Sequence, residues 1–130
     1  MQSKNHAQIG LSLGLALLLS VALAACSSSG TGASTASAQT FNVNALDTFK
    51  YDPPSLTVKV GQPVHIVLAN RGALVHTFVI DELGVKISNV QGGAMGDATF
   101  TPAQAGTYVY YCDTPGHKDA GMKGTLTVTP

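Results

Sequence analysis

Short apolar runs separated by glycine and proline dominate residues 40–130. Within these runs apolar and polar residues alternate, and a period of two is typical of β-strands that bury one face. The runs cover residues 41–46, 56–60, 64–70, 76–80, 98–100, 107–112 and 124–129. Short strands at regular spacing predict an all-β Greek-key sandwich of about seven to eight strands. Residues 81–93 are ambiguous and could hold a short turn of helix.

A thiol, an imidazole and a thioether occur at intervals of five residues, as Cys112 at the end of the predicted strand 107–112 and as His117 and Met122 in the segment that follows it. Soft sulfur donors favour Cu(I), and imidazole suits both oxidation states of copper. His76, at the start of the predicted strand 76–80, can supply a second imidazole. Zinc is the main rival metal, but zinc sites are built from thiolates, imidazoles and carboxylates, so the thioether of Met122 favours copper.

Each of these residues also has an ordinary explanation when it is taken alone. A single Cys can be a small buried apolar residue, a Met near a C-terminus commonly belongs to the core, and a His at the start of a strand is commonly a surface residue. The metal hypothesis explains better why a Cys, a His and a Met share one loop rich in Gly and Pro.

The remaining His and Met residues differ from the candidate ligands in position. His65 alternates with Val64 and Ile66 in its strand, so we expect its ring on the exposed face. His6 lies in an N-terminal segment that we expect to be removed. Met95 lies outside the candidate ligand loop, and we expect it at the surface or at the edge of the core.

The ligand loop and its flanks resemble the cupredoxins, the small blue copper proteins. The resemblance covers about residues 40–130. It is carried by Ala105–Cys112, Pro115–His117 and Gly121–Gly124, and upstream by Phe49–Pro53, Val60–Val64, Asn70–Gly72 and His76. Four residues separate Cys112 from His117, and four more separate His117 from Met122. This spacing is more similar to that of auracyanin than to that of plastocyanin or azurin.

The resemblance implies one type 1 copper ion and a specific set of ligands. The close equatorial ligands would be His76, Cys112 and His117, and the long axial ligand would be Met122. Two residues depart from the family pattern. Thr77 stands where many relatives have an Asn that helps to tie the two ligand loops together. Val75 stands where azurin has a Gly whose carbonyl approaches the metal, so a fifth ligand is not expected.

We predict from this resemblance a carrier of single electrons that is not an enzyme. Its partners would be membrane-associated or periplasmic redox proteins, such as a cytochrome, an oxidase or a photosynthetic reaction centre, and we expect it to be a monomer. Small residues beside His117, together with Leu74, predict an apolar docking patch around that ring. The alternative function is an extracytoplasmic copper carrier or chaperone, although an exposed site rich in Met would be more typical of that class.

The N-terminus predicts export and anchoring to a bacterial cell membrane. Lys4 precedes an apolar stretch, and the sequence before Cys26 resembles a lipobox. We therefore expect residues 1–25 to be a lipoprotein signal peptide and Cys26 to carry lipid, with an uncleaved membrane anchor as the alternative. Residues 26–39, rich in Ser, Gly and Ala, would form a flexible linker to a domain over residues 40–130.

Charge and cysteine content restrict the remaining possibilities. Seven Lys and Arg balance seven Asp and Glu in the whole chain. Removing the segment that contains Lys4 leaves six against seven, a formal net charge of −1. A domain so close to neutrality has no electrostatic basis for binding nucleic acid. Since one of the two cysteines would carry lipid and the other the metal, we expect no disulfide.

Overall fold

The computed structural model describes residues 37–130, which form nine strands and one turn of 3₁₀ helix over Asp81–Leu83. The strands are β1 (Gln39–Leu46), β2 (Lys50–Asp52), β3 (Ser55–Lys59), β4 (Val64–Asn70), β5 (His76–Ile80), β6 (Val85–Val90), β7 (Met95–Phe100), β8 (Gly106–Tyr111) and β9 (Lys123–Thr129). The predicted signal peptide, Cys26 and most of the predicted linker lie outside the described residues. Within them, no helix has the length and apolar character that crossing a membrane requires.

The nine strands form two sheets around one apolar core, which confirms the predicted β-sandwich. The strand orders are β2-β1-β4-β7 in one sheet and β3-β9-β8-β5-β6 in the other. Most neighbours are antiparallel, but β1 pairs in parallel with β4, and β3 pairs in parallel with β9. The chain therefore crosses between the sheets several times, as a Greek-key sandwich requires.

The alternation of the strands determines which side chains fill the space between the sheets. In β4, Val64, Ile66 and Leu68 are fully buried, whereas the intervening side chains are partly exposed. Burial of each such aliphatic side chain contributes about 1.5–3 kcal/mol. The rings of Phe78 and Tyr110 stack at 4.7 Å within the same core. The core cluster continues to one end of the sandwich, where it includes Cys112 and Met122.

All seven predicted strands are present, but the predicted count was too low because β2 and β6 were missed. Strand β2 has only three residues, and since Tyr51 is the only apolar one, it did not stand out as an apolar run. In β6, Asn89 adopts a positive φ of 53°, and the pairing of β6 with β5 shifts register between His76 and Phe78. These irregularities interrupt the period of two. The short helical turn considered for this region is the 3₁₀ helix that precedes β6.

Candidate metal centre

The candidate metal centre lies at the end of the sandwich where β5 begins and where the chain passes from β8 to β9. His76 is the first residue of β5, Cys112 follows β8, and Met122 precedes β9. His117 lies in the loop between Cys112 and Met122. The ligand atoms of His76, Cys112 and His117 all lie within 4.8 Å of one another. Packing of the strands thus brings the distant His76 to the loop that carries the other candidate ligands.

The site is almost completely removed from solvent. His76, Cys112 and Met122 are each 0% exposed, and His117 is 9% exposed. Cys112 is a free cysteine within the core. Exclusion of water strengthens electrostatic interactions at the sulfur and leaves the His117 ring as the point of closest approach to the surface.

Backbone hydrogen bonds fix three of the four candidate ligands relative to one another. The Cys112 N–H donates to the Met122 carbonyl at 3.1 Å, and the Met122 N–H donates to the His117 carbonyl at 3.0 Å. Gly116 and Gly121 have φ values of 83° and 102°, a left-handed conformation that glycine adopts without a Cβ penalty. The loop is therefore held in place by its own backbone.

The His76 ring has one nitrogen bonded to protein and one that is not. Its Nε2 lies 3.2 Å from Oδ1 of Asp47. Its Nδ1 is buried and has no hydrogen-bond partner within residues 37–130. Leaving such an atom unsatisfied costs about 1–3 kcal/mol. On the other side of the cluster, Nδ1 of His117 lies 3.5 Å from Sγ of Cys112. A metal ion between the two rings could accept a lone pair from Nδ1 of His76 and from Nδ1 of His117.

Thr77 connects the strand that carries His76 to the segment that carries Cys112. Its backbone N–H points at the Cys112 Sγ at 3.4 Å. Its Oγ1 lies 2.7 Å from Oδ1 of Asp113 and 3.5 Å from the sulfur. A hydroxyl has one proton, and the shorter contact to a carboxylate is the stronger one, so the hydroxyl donates to Asp113. The same oxygen accepts the Asp113 N–H at 2.8 Å. Thr77 thus connects the two ligand-bearing segments through its side chain and its backbone N–H.

Asp113 is held from its other side by a lysine. Nζ of Lys86 lies 2.7 Å from Oδ2 of Asp113. This hydrogen bond and the one from Thr77 hold the pKa of the Asp113 carboxyl below its usual value, and partial burial opposes them. The carboxylate therefore stays charged while it anchors Thr77.

A buried amide shapes the loop that leads into His76. Asn70 donates from Nδ2 to the carbonyls of Leu74 and Val90 at 2.6 Å and 2.9 Å. Its Oδ1 accepts the N–H of Gly72 at 2.9 Å. One side chain thus satisfies two backbone groups of the loop 71–75, which has no regular secondary structure, and joins this loop to the last residue of β6. These bonds fix the entry to β5.

The turn between β1 and β2 contributes two residues that the sequence analysis missed. Asp47 bonds the His76 ring as described above. Phe49, which has a φ of 57°, places its ring edge-on to His117 with centroids 4.9 Å apart. Phe49 begins one of the segments that carry the family resemblance, but neither it nor Asp47 was assigned a role at the metal, because only the pairing of β1 with β4 brings this turn to the metal centre. A short turn containing Asp and an aromatic residue is too common to identify a site by itself.

His65 and Met95 lie away from the cluster. The partly exposed ring of His65 places Nε2 3.0 Å from Oδ2 of Asp97. Met95, at the start of β7, is 72% exposed. These positions agree with the surface locations predicted for both residues.

The donor set fits copper. A buried thiol and two imidazoles surround a common point, and the thioether of Met122 is buried in the same cluster of the core. Thiolate and imidazole ligands lie about 2.0–2.3 Å from a bound transition metal, so ligands of one ion are separated by up to about 4.6 Å. The observed cluster is close to that spacing, and a thioether beside a thiolate selects for copper.

Comparisons with a family model, with curated sequences and with solved structures all find similarity to copper proteins or to the cupredoxin-like domain. A family model for the cupredoxin-like domain matches residues 15–128. The copper-resistant cuproprotein CopI of Rubrivivax gelatinosus is 31% identical over 113 residues, which cover 72% of this chain and 68% of CopI. A plastocyanin of Scenedesmus fuscus is 36% identical over 87 residues, covering 60% of this chain and 85% of the plastocyanin. The crystal structure of dithionite-reduced auracyanin from the photosynthetic bacterium Roseiflexus castenholzii superposes with a TM-score of 0.65 at 25% identity, covering 72% of this chain and 100% of the auracyanin.

Proposed function

Because the chain belongs to the cupredoxin-like family and its cofactor is copper, we propose that it carries single electrons between protein partners. The copper ligands in this proposal are His76, Cys112, His117 and Met122. The observation that carries the proposal is the buried cluster of a thiol and two imidazoles within 4.8 Å, held by the protein's own hydrogen bonds. Copper bound by this donor set supplies a one-electron couple between Cu(I) and Cu(II).

The protein's contribution is to hold the ligands still. His76 is fixed by β5 and by Asp47, and the loop from Cys112 to Met122 is closed by backbone hydrogen bonds. Ligands that move little between two oxidation states make electron transfer fast, because little structure has to reorganise. The N–H of Thr77, directed at the Cys112 sulfur, stabilises negative charge there and would tune the reduction potential.

Electron exchange is proposed to occur through the His117 ring. This ring is the most exposed part of the candidate ligand set. Leu74 is 43% exposed, and Ala73 and Pro115 are also exposed. These apolar residues support a docking patch of the kind expected from the sequence. A partner that covers the patch would exclude water between the two redox centres.

We propose a carrier rather than an enzyme. Copper oxidases and nitrite reductases use more than one metal site. Over residues 37–130 the structure contains one group of three or more His, Cys, Asp or Glu that could hold a metal. The further histidine in this part of the chain, His65, is engaged by Asp97. These observations support a single-copper carrier.

A second candidate function is copper handling, and the 31% identity to the copper-resistant cuproprotein CopI favours it. A protein of that class must release its metal to an acceptor or keep it away from other molecules. The buried cluster supports retention of copper more than its release, because each exchange would have to open a site with three fully buried side chains.

The N-terminal sequence supports a proposal for the location of the domain. We propose that residues 1–25 direct export, that Cys26 is lipidated, and that residues 26–39 tether a monomeric domain to the outer face of a cell membrane. Redox partners in or near the same membrane would then be within reach of the His117 patch. Labelling cells with a clickable fatty acid tests the anchor, and wild-type protein that incorporates no label at Cys26 rules it out.

Copper and electron exchange rates distinguish the two functions. Electron exchange is measured by stopped-flow mixing of the oxidised protein with a reduced small cytochrome, and copper exchange by mixing the Cu(I) protein with a strong Cu(I) chelator. For an electron carrier, we expect the cytochrome to reduce the copper protein within milliseconds to seconds. Loss of copper from the Cu(I) protein to the chelator should be slower by orders of magnitude. Copper transfer faster than electron exchange would favour copper handling instead.

A further inference from the structure

We propose that Asp47 is the positioning residue for His76, accepting the ring's Nε2–H so that the bare Nδ1 lone pair faces the copper. The inference rests on the ligand role proposed for His76. It assigns to this chain a carboxylate next to a metal-binding imidazole, supplied by the turn between β1 and β2.

The two nitrogens of His76 support this assignment independently. Nε2 lies 3.2 Å from the Asp47 carboxylate, whereas the buried Nδ1 has no protein partner between residues 37 and 130. A neutral imidazole carries one proton, and a nitrogen that faces a carboxylate must be the one that donates. The proton therefore belongs on Nε2, and Nδ1 is left as a metal donor.

The Asp47 carboxylate is itself held in a fitted cradle. Its Oδ2 accepts the N–H of Ala73 at 2.8 Å, and its Oδ1 accepts the N–H of Leu74 at 3.1 Å. A Cβ added at Gly72 would collide with the same carboxylate. The Phe49 N–H closes the turn onto the Leu46 carbonyl at 3.0 Å. Two backbone N–H groups therefore hold the Asp47 carboxylate, and the absence of a Cβ at Gly72 leaves room for it. A carboxylate held in this way can in turn orient the His76 ring.

The Asp47 carboxylate should affect the reduction potential of the metal centre in addition to orienting the His76 ring. Negative charge near Nε2 makes Nδ1 more basic and favours Cu(II) over Cu(I). The Asp47 side chain is 40% exposed, so solvent screens part of this effect. Removing the charge is therefore expected to raise the reduction potential, and removing the whole acceptor is expected to weaken Cu(II) binding as well.

The chain offers a matched control in a second His–Asp pair. His65 Nε2 and Asp97 Oδ2 lie 3.0 Å apart on the outer face of the other sheet, outside the cluster of His76, Cys112 and His117. Asp97→Ala and Asp97→Asn make the same chemical changes as Asp47→Ala and Asp47→Asn. If the loss of a negative charge anywhere on the domain changed the copper affinity or the potential, the Asp97 variants would show the same change as the Asp47 variants.

The test combines metal affinity, reduction potential and the state of the ring. Competition titration should show Cu(II) affinity reduced about 10- to 100-fold in Asp47→Ala, with a smaller loss of Cu(I) affinity and a raised potential. Asp47→Asn should raise the potential with a smaller loss of affinity, because its amide oxygen still accepts the ring N–H. Both Asp97 variants should match the wild type. In the copper-free wild type, nitrogen NMR should find the neutral ring of His76 protonated on Nε2.

Several results would overturn the inference. One is a copper-free wild type with the His76 proton on Nδ1. Another is an Asp47→Ala protein with wild-type Cu(II) affinity and potential. If Asp47→Ala does not fold, Asp47→Asn and the NMR measurement decide the matter. A wild type without an intense blue band would instead contradict the proposed ligands, whereas a blue wild type with an unaffected Asp47→Ala contradicts this inference alone.

Discussion

The hydroxyl oxygen of Thr77 both accepts the backbone N–H of Asp113 at 2.8 Å and donates to its carboxylate at 2.7 Å. This reciprocal pair joins the start of β5 to the residue that follows Cys112. Lys86 holds the carboxylate from the other side. The connection between the two ligand-bearing segments therefore runs through a side chain at the second residue of β5.

Replacing Thr77 by Val should weaken this connection without removing the backbone N–H that points at the Cys112 sulfur. The Asp113 N–H and part of its carboxylate lose their partner, so we expect a loss of about 1–3 kcal/mol in the free energy of unfolding. Urea denaturation of the copper-free protein measures it, with Thr77→Ser as the control that keeps the hydroxyl. Equal stability of the Val variant and the wild type would show that the pair contributes nothing.

Replacing Met122 by Gln should preserve copper binding and lower the reduction potential. A weak neutral thioether favours Cu(I), whereas an amide oxygen is a harder donor and favours Cu(II). Redox titration followed by visible absorption measures the shift. Met95→Gln is the matched control because Met95 is 72% exposed. A potential that moves with Met95 but not with Met122 would mean that the axial ligand has been assigned to the wrong residue.

The copper-free protein should lose stability as the pH falls below about 6.5, the pKa of an unperturbed histidine. Burial, reinforced by the nearby His76, lowers the pKa of His117, and Asp47 partly opposes this. Between the lowered folded value and the unfolded value, the unfolded chain binds more protons, so stability decreases with decreasing pH. Urea denaturation at about pH 8 and about pH 5 measures the slope. A His117→Gln variant should show a smaller slope, and an identical slope would contradict the assignment.

Placing a carboxylate in the docking patch, as Leu74→Asp, should slow electron transfer to a natural partner. The added charge must lose its hydration when the surfaces meet, while the spectrum and potential should stay nearly unchanged. Val109→Asp is the matched control, because Val109 is similarly exposed at 45% but lies in β8.

Association with a natural partner should depend only weakly on salt, given the predicted mature charge of −1. A steep salt dependence that vanishes when Lys118 or Lys123 is replaced would indicate electrostatic docking instead.

Much of the fold was predictable because its signals are local. Short apolar runs bounded by glycine and proline identified seven strands, and the spacing of Cys112, His117 and Met122 placed three candidate ligands close together in the chain. The parts that were missed depend on contacts between distant segments. Strand β6 is irregular at Asn89, and Asp47 meets His76 only after β1 has paired with β4. Thr77 was recognisable in the sequence as a departure from the pattern that the resemblance implies, but its reciprocal bond to Asp113 depends on the geometry of both loops.

Visible absorption after adding one equivalent of Cu(II) to the purified domain tests the central claim most directly. The wild type should develop an intense band near the red end of the spectrum that a reductant bleaches. Cys112→Ser should fold but lack this band, because the thiolate is the source of the charge transfer. An unchanged blue spectrum in Cys112→Ser, or a wild type that remains colourless with bound Cu(II), would contradict the proposed copper site.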